Sequence, residues 1–263
     1  MAYYLLGAIV GDACGAHYEF GNNRTKDYNS IKLIKKDNRF TDDTVCTIGV
    51  ADAILKYKNP TVEQFAKCIQ EWCKKYPNRG YGGRFKNWID NTEPYESWGN
   101  GSAMRISACG LAATSVKECI ELAKNSAKCS HNSAEGVSGA VVTALAVYHA
   151  RHNKNECKEY LKNIMEVFYP AYSELTLDEL RPKYSFDSSC VGTVPVAMMC
   201  FLESSCYENC IKLAISMGGD ADTLAAISGS VAYAYYEDMQ KILMEDIINI
   251  LPKEMMDIIK QFQ

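Results

Sequence analysis

The sequence predicts an all-α, compact single-domain protein, and three observations carry that expectation. Apolar residues recur at helical spacing along most of the chain, strand-like alternation is nowhere sustained, and capping patterns stand where helices should start. With 263 residues, 48% apolar and 23% charged, one domain over residues 1–263 has material for a large core. No repeat unit and no low-complexity tract is present, and the helices should number roughly ten or more.

The first helix is expected within residues 2–16, where Gly7, Gly11 and Gly15 at four-residue intervals would let one face lie very close to another element. Asp12 falls in that stripe, so it should either bond to polar partners in the core or touch a ligand. Glu19 follows in a loop and, on composition, reads as an exposed acid. Residues 21–40 read as a polar surface loop able to cover a site. A second helix should run from Thr41 to about Lys58. A third should start with the capping pattern Thr61-x-x-Gln64 and carry a clean stripe from Val62 to Tyr76.

Between Pro77 and Gly101 the composition turns to Gly, Asn, Tyr and Trp, which marks a long loop of functional kind. The run Gly99 to Arg105 then leads into an apolar helix. It reads either as backbone N–H groups facing a phosphate or as a tight turn with Ser102 as N-cap. Further capping patterns occur at Ser115-x-x-Glu118, Asn153-x-x-Glu156, Thr176-x-x-Glu179 and Ser205-x-x-Glu208. Helices at about 133–151 and 222–236 have small residues on most faces and should lie at the centre. His131 precedes the first of them, where a helix N-terminus would lower its basicity, so it reads as a neutral hydrogen-bonding group or as a capping or packing residue. Residues 181–192 are irregular and able to wall a site, and the helices split by Pro252 read as structural or as an oligomer contact.

A net charge of −4 with dispersed Lys and Arg argues against a nucleic-acid surface. No apolar run is long enough to span a bilayer, and no signal-peptide pattern opens the chain, so a cytoplasmic location is expected. The twelve cysteines form no C-x-x-C pair and read as reduced, mostly buried thiols. For Cys206 and Cys210, one turn apart, packing is as good an explanation as metal.

Two short segments concentrate the chemistry. Phe40-Thr41-Asp42-Asp43-Thr44 and Gly218-Gly219-Asp220-Ala221-Asp222-Thr223 each place two carboxylates and a hydroxyl at the start of an apolar helix. Taken singly, either reads first as a capping pattern with Thr41 or Asp222 as N-cap. Two of them point to a metal site, because clustered carboxylates repel unless a cation neutralises them. Oxygen donors without His or Cys suit a hard ion such as magnesium, manganese or calcium.

Taken in order, several motifs resemble the ADP-ribosylglycohydrolase family, the relatives of dinitrogenase reductase-activating glycohydrolase. They are Gly7-x-x-x-Gly11-Asp12-Ala13-x-Gly15, Glu19, Thr41 to Thr44, Gly99 to Arg105, Ser130-His131, Gly192 to Pro195 and Gly218 to Thr223. The resemblance runs from residue 5 to about 236 and is nearest to the short, single-domain microbial members. It implies a two-metal centre of Mg2+ or Mn2+ held by Thr41, Asp42, Asp43, Asp220, Asp222 and Thr223. It also implies ADP-ribose contacts from Asn100, Gly101, Ser102, Met104 and His131, and a loop acid, Glu19, that assists catalysis together with the metal-bound Asp42 and Asp222.

The implied reaction is hydrolysis at C1″ of ADP-ribose joined to a protein side chain such as arginine or serine, or to a small conjugate. Positive charge builds on the ribose as water arrives, so oriented hydroxyls and a carboxylate that takes the water's proton provide the acceleration. Asp90 or Glu93 could hold a guanidinium, though surface exposure explains them equally. The alternative is a non-catalytic ADP-ribose-binding module on the same fold; the intact acidic clusters and Glu19 argue against it. A metal-dependent nucleotide phosphohydrolase would need His-Asp ligand pairs, and none of the four histidines adjoins an Asp in sequence. A monomer is compatible with all of this.

Overall fold

In the computed structural model, which describes residues 2–91 and 93–263, the organising element is a helix with no exposed residue. This is α1 (Leu6–Gly15), whose ten residues are all buried. Its partner is the chain's other small-residue helix, Ala221–Tyr236, and no two helices share more of their length. The glycine stripe explains the pairing. A Cβ on Gly7 would come within 2.6 Å of Gly229 O, on Gly11 within 2.1 Å of Ala225 O, and on Gly15 within 2.4 Å of Ala221 O. Only glycine lets the two backbones meet at all three positions.

The remaining helices follow in chain order around this pair. They are α2 (Asp42–Tyr57), α3 (Val62–Lys75), α4 (Gly83–Ile89), α5 (Gly101–Met104), α6 (Ser107–Ala112) and α7 (Val116–Lys128). Then come α8 (Ala134–His152), α9 (Lys154–Phe168), α10 (Pro170–Ser173), α11 (Leu177–Leu180), α12 (Cys190–Leu202) and α13 (Tyr207–Ser216). The central partner of α1 is α14, and α15 (Lys241–Ile248) and α16 (Lys253–Ile259) close the chain. Among the described residues there is no β-strand, only an isolated bridge between Gly99 and Ser189. No described helix is long and apolar enough to cross a membrane.

Local signals account for most of the boundaries. Thr61 and Gln64 form the reciprocal capping box at α3, and Thr176 with Glu179 forms one at α11. Ser115 caps α7, but Glu118 turns back to the N–H and hydroxyl of Thr114 rather than to Ser115. The expected pattern at Ser205 is displaced by one residue. Cys206 is the N-cap of α13, its sulfur accepting from Asn209 N–H, while Ser205 bonds to the Asn209 side chain. Asn153 begins α9 without a side-chain cap.

All twelve cysteines are free and eleven are buried, as thiols within apolar helical faces should be. At the C-terminus, α15 packs on α1 and α16 on α2, with Ile247 and Met255 fully covered. Ile247 and Met255 therefore serve the core, whereas Ile250 of the same stripes is exposed.

The close approach of α1 and α14 makes a sharp prediction. Gly11→Ala should lower unfolding stability by at least about 3 kcal/mol, because its methyl would overlap backbone that cannot shift alone. Gly82→Ala, whose Cβ would meet nothing within 4 Å, should change it by less than about 1 kcal/mol. Urea unfolding of the two variants checks the contrast.

Candidate active site

The α1–α14 pair also fixes where the acidic segments meet. Asp12, fully buried in α1, accepts from the N–H of Thr41 at 2.9 Å and of Thr44 at 3.1 Å. The hydroxyl of Thr41 donates to it at 2.7 Å, and that of Thr44 donates to it as well. Four donors from one helix entrance satisfy a carboxylate that burial alone would penalise, although its pKa still ends raised. Asp12 therefore bonds within the core and clamps the start of α2 to α1. Thr41 is the N-cap of α2, and its Oγ1 accepts from Asp43 N–H at 3.3 Å.

The second segment enters differently. Asp220, not Asp222, occupies the N-cap position of α14, and it makes no side-chain cap bond. Its carboxylate instead accepts from Asn100 Nδ2 at 2.7 Å, and the same amide donates to Thr193 Oγ1 at 3.0 Å. Asp222 lies in the first turn, where Thr223 N–H donates to it at 2.9 Å. Gly219 owes its identity to packing, since a Cβ there would meet the Tyr184 ring at 2.5 Å, and Gly218 adopts a positive φ of 70°. The close approach that these glycines permit is to protein.

The two entrances face one another. Thr223 Oγ1 lies 3.5 Å from Asp43 Oδ2, and Glu19 reaches in from its loop so that one ligand oxygen each from Glu19, Asp220 and Asp222 falls within 4.8 Å of the others. Glu19 is half-buried, not the exposed acid its composition suggests. These groups line a cavity of about 410 Å³ together with Asp42, Asn100, Gly101, Met104 and His131. Thr41 lines an adjoining cavity of about 180 Å³ that shares Glu19, Asp42 and Asp222.

Ser102 is the departure. It neither caps a helix nor lines the cavity: its hydroxyl is fully buried and donates to Gly136 O at 2.6 Å, holding the short α5 against α8. Asp90 is exposed and paired with Lys74, and Glu93 is likewise exposed and lines a separate cavity. The aromatic rim takes Tyr95 and Trp98 from the loop read as functional and Phe186 from the stretch read as a wall, while Phe20 was not singled out. Phe20, Trp98 and Phe186 are exposed, and rings of that size left at a polar cavity mouth were the available signal.

The electrostatics state what the cluster lacks. Burial, then Asp222, pushes Glu19 up to about 9, and burial, then Asp12, pushes Asp42 up to about 7. Burial raises Asp220 to about 6 against the opposing bonds from Asp222 and Asn100. Asp43 and Asp222 are raised well above the usual range, first by burial and then by Asp222 and Asp220 respectively. Among the described residues no Lys or Arg forms an ion pair with any of the five, and Asp43 Oδ1 is buried without a hydrogen-bond partner.

An orphaned buried oxygen within an all-oxygen donor set fits hard divalent cations. His131 is held neutral first by burial and then by the charges of Arg105 and Arg84. Its Nδ1 is 2.8 Å from Ser130 Oγ.

Residues 3–248 match the family model described as ADP-ribosylglycohydrolase. The chain is 28% identical to ADP-ribosylhydrolase ARH3 of Homo sapiens, covering 88% of this chain and 84% of that protein. It is 26% identical to ARH3 of Xenopus tropicalis, covering 90% and 87%. A solved structure titled ADP-ribosylglycohydrolase-related protein complex superposes with a TM-score of 0.71 at 23% identity, over 97% of this chain and 94% of that one. That likeness establishes the fold.

Without cations, the raised carboxylates make the site a pH-dependent liability. Each binds its proton more tightly folded than unfolded, where the value is about 4. Their contribution to stability is therefore full below about pH 4 and is lost as pH rises through the folded values of about 6 for Asp220, 7 for Asp42 and 9 for Glu19. Chelated protein should show a falling thermal midpoint from pH 5 to pH 9. Added Mg2+ or Mn2+ should raise the midpoint most at the alkaline end, which scanning calorimetry will read.

Proposed function

The chain belongs to the ADP-ribosylglycohydrolase family, and from that premise we propose that it is a divalent-metal-dependent hydrolase of ADP-ribose conjugates. The bond cleaved is the glycosidic bond at C1″, and the aglycone is a protein side chain, arginine or serine among the candidates, or a small group. The observation that supports this most is the convergence of Glu19, Asp42, Asp43, Asp220 and Asp222 from three chain segments at one wall of a roomy cavity. Its volume lies within the range of small-molecule sites.

In this reading Thr41, Asp42, Asp43, Asp220, Asp222 and Thr223 hold two cations, Mg2+ or Mn2+. When bound, the cations supply positive charge that orients ribose hydroxyls and acidifies water. Asp12 keeps Thr41 and the first turn of α2 in register, and Asn100 aims Asp220 by its 2.7 Å bond. Asp42 and Asp222 orient the attacking water, and Glu19, ionised once the cations offset the repulsion from Asp222, takes its proton. Asn100, Gly101, Met104 and His131 bind the nucleotide side, whereas Ser102 acts by seating α5. Phe20, Trp98 and Phe186 shield the mouth from bulk water.

The reaction substrate is an ADP-ribosylated protein or small conjugate, with no nucleic-acid partner. A cytoplasmic location accompanies this reading, supported by reduced thiols throughout.

The test is release of free ADP-ribose from proteins modified separately on arginine and on serine, with Mg2+, with Mn2+ and after chelation. Metal-dependent release from one of them is expected. Asp220→Ala should reduce turnover at least about 1,000-fold, the scale of lost electrostatic machinery. Cys206→Ser, a change of one N-cap for another at a residue that does not line the cavity, should leave it within about twofold. Calorimetric binding of ADP-ribose without release from any conjugate would instead favour a binding module.

A further inference from the structure

Behind the cavity lies a fully buried arginine with no acidic partner among the described residues. Arg105 is 0% exposed, and Phe85 presents its ring 5.9 Å from the guanidinium carbon. Its Nη2 donates to Ser126 O at 2.8 Å, to Ser130 Oγ at 2.9 Å and to Cys129 Sγ at 3.5 Å, while Nε and Nη1 find no partner. A buried guanidinium so poorly compensated is costly, and stability alone gives no reason to keep it.

What it accomplishes is directional. A guanidinium only donates, so Ser130 Oγ must accept from it. The single hydroxyl hydrogen of Ser130 is then free for His131 Nδ1, 2.8 Å away. If Nδ1 carried the imidazole proton instead, Ser130 Oγ would accept twice. Its own hydrogen would then have no acceptor, since the one further contact of Ser130 Oγ among the described residues is the Cys129 thiol, a donor 4.0 Å off. Ser130 is 0% exposed, so no solvent relieves that arrangement.

The other ring nitrogen, Nε2, faces the cavity wall between Gly99 and Gly101. A Cβ on Gly101 would come within 2.9 Å of it, and one on Gly99 within 3.7 Å. Among the described residues Nε2 has no hydrogen-bond partner from protein.

We propose that Arg105 and Ser130 are positioning residues that lock His131 in its Nε2–H tautomer, so that it presents one fixed N–H to an acceptor atom of the bound nucleotide. The glycine at 101 leaves that N–H uncovered. A histidine free to exchange tautomers would offer donor and acceptor alternately and select neither; the lock makes the cavity floor a donor. The tautomer itself is independent of the proposed reaction, but its use in binding ADP-ribose rests on that reading.

The test is long-range proton–nitrogen correlation NMR on histidine-labelled protein without ligand, with His131→Gln used to assign the signal. The wild type should show the single Nε2-protonated pattern. Ser130→Ala should give an averaged pattern of both tautomers, and Ser130→Thr, which restores a hydroxyl, should recover the wild-type one. Calorimetry should find ADP-ribose binding weakened about tenfold in Ser130→Ala, one hydrogen bond's worth, and recovered in Ser130→Thr.

An Nδ1-protonated or averaged wild-type pattern overturns the lock, and so does an Nε2–H pattern that survives Ser130→Ala. The wild-type spectrum decides the tautomer even if a variant fails to fold. An Nε2–H wild type that binds no ADP-ribose supports the lock and overturns the ligand reading instead.

Discussion

The repulsion among buried carboxylates is the constraint on which the rest of this structure depends. Five acids from three segments converge at one cavity, and no Lys or Arg among the described residues forms an ion pair with them. Such a cluster is tolerable only if its members keep protons or share external cations. The scaffold is correspondingly stiff. The glycine seam brings α1 and α14 into backbone contact, α1 delivers Asp12 to the entrance of α2, and the two helix starts are thereby held face to face.

The wall that carries Asn100 follows a different logic. Asn100 joins Asp220 to Thr193 and so links the acidic cluster to α12, while the backbone of Asn100 donates to Ser188 O and secures the α5 entrance. One amide side chain thus couples the acidic cluster to the wall formed by α5 and α12. Further back, the buried run from Arg105 through Ser130 to His131 is polar chemistry placed where a core would normally be apolar.

Much of this was legible in the sequence because it is written in short-range code. The period-four glycines of α1 marked a helix that meets another backbone, and the Thr-Asp-Asp-Thr and Asp-Ala-Asp-Thr runs marked helix entrances rich in oxygen. Glu19 was different: its local composition is that of an exposed loop, so the family resemblance alone put it at the site, and the fold brings it beside Asp222. Ser102 also misled, because a serine after glycine looks like a cap while its true partner, Gly136 O, is 34 residues away. The neutral state of His131 was anticipated for an incomplete reason, since the arginines that help enforce it, Arg105 and Arg84, are distant in sequence. Capping at Ser205 slipped by one residue because a cysteine sulfur took the role that serine usually fills.

The account stands most directly on cations lying between the starts of α2 and α14. Anomalous diffraction from crystals equilibrated with Mn2+ would locate them. Two peaks are expected, bounded by Thr41, Asp42, Asp43, Asp220, Asp222 and Thr223, with Asp43 Oδ1 no longer without a partner. Crystals that show no Mn2+ peak in that space at saturating metal would contradict the account and leave the acidic cluster to be explained by shared protons alone.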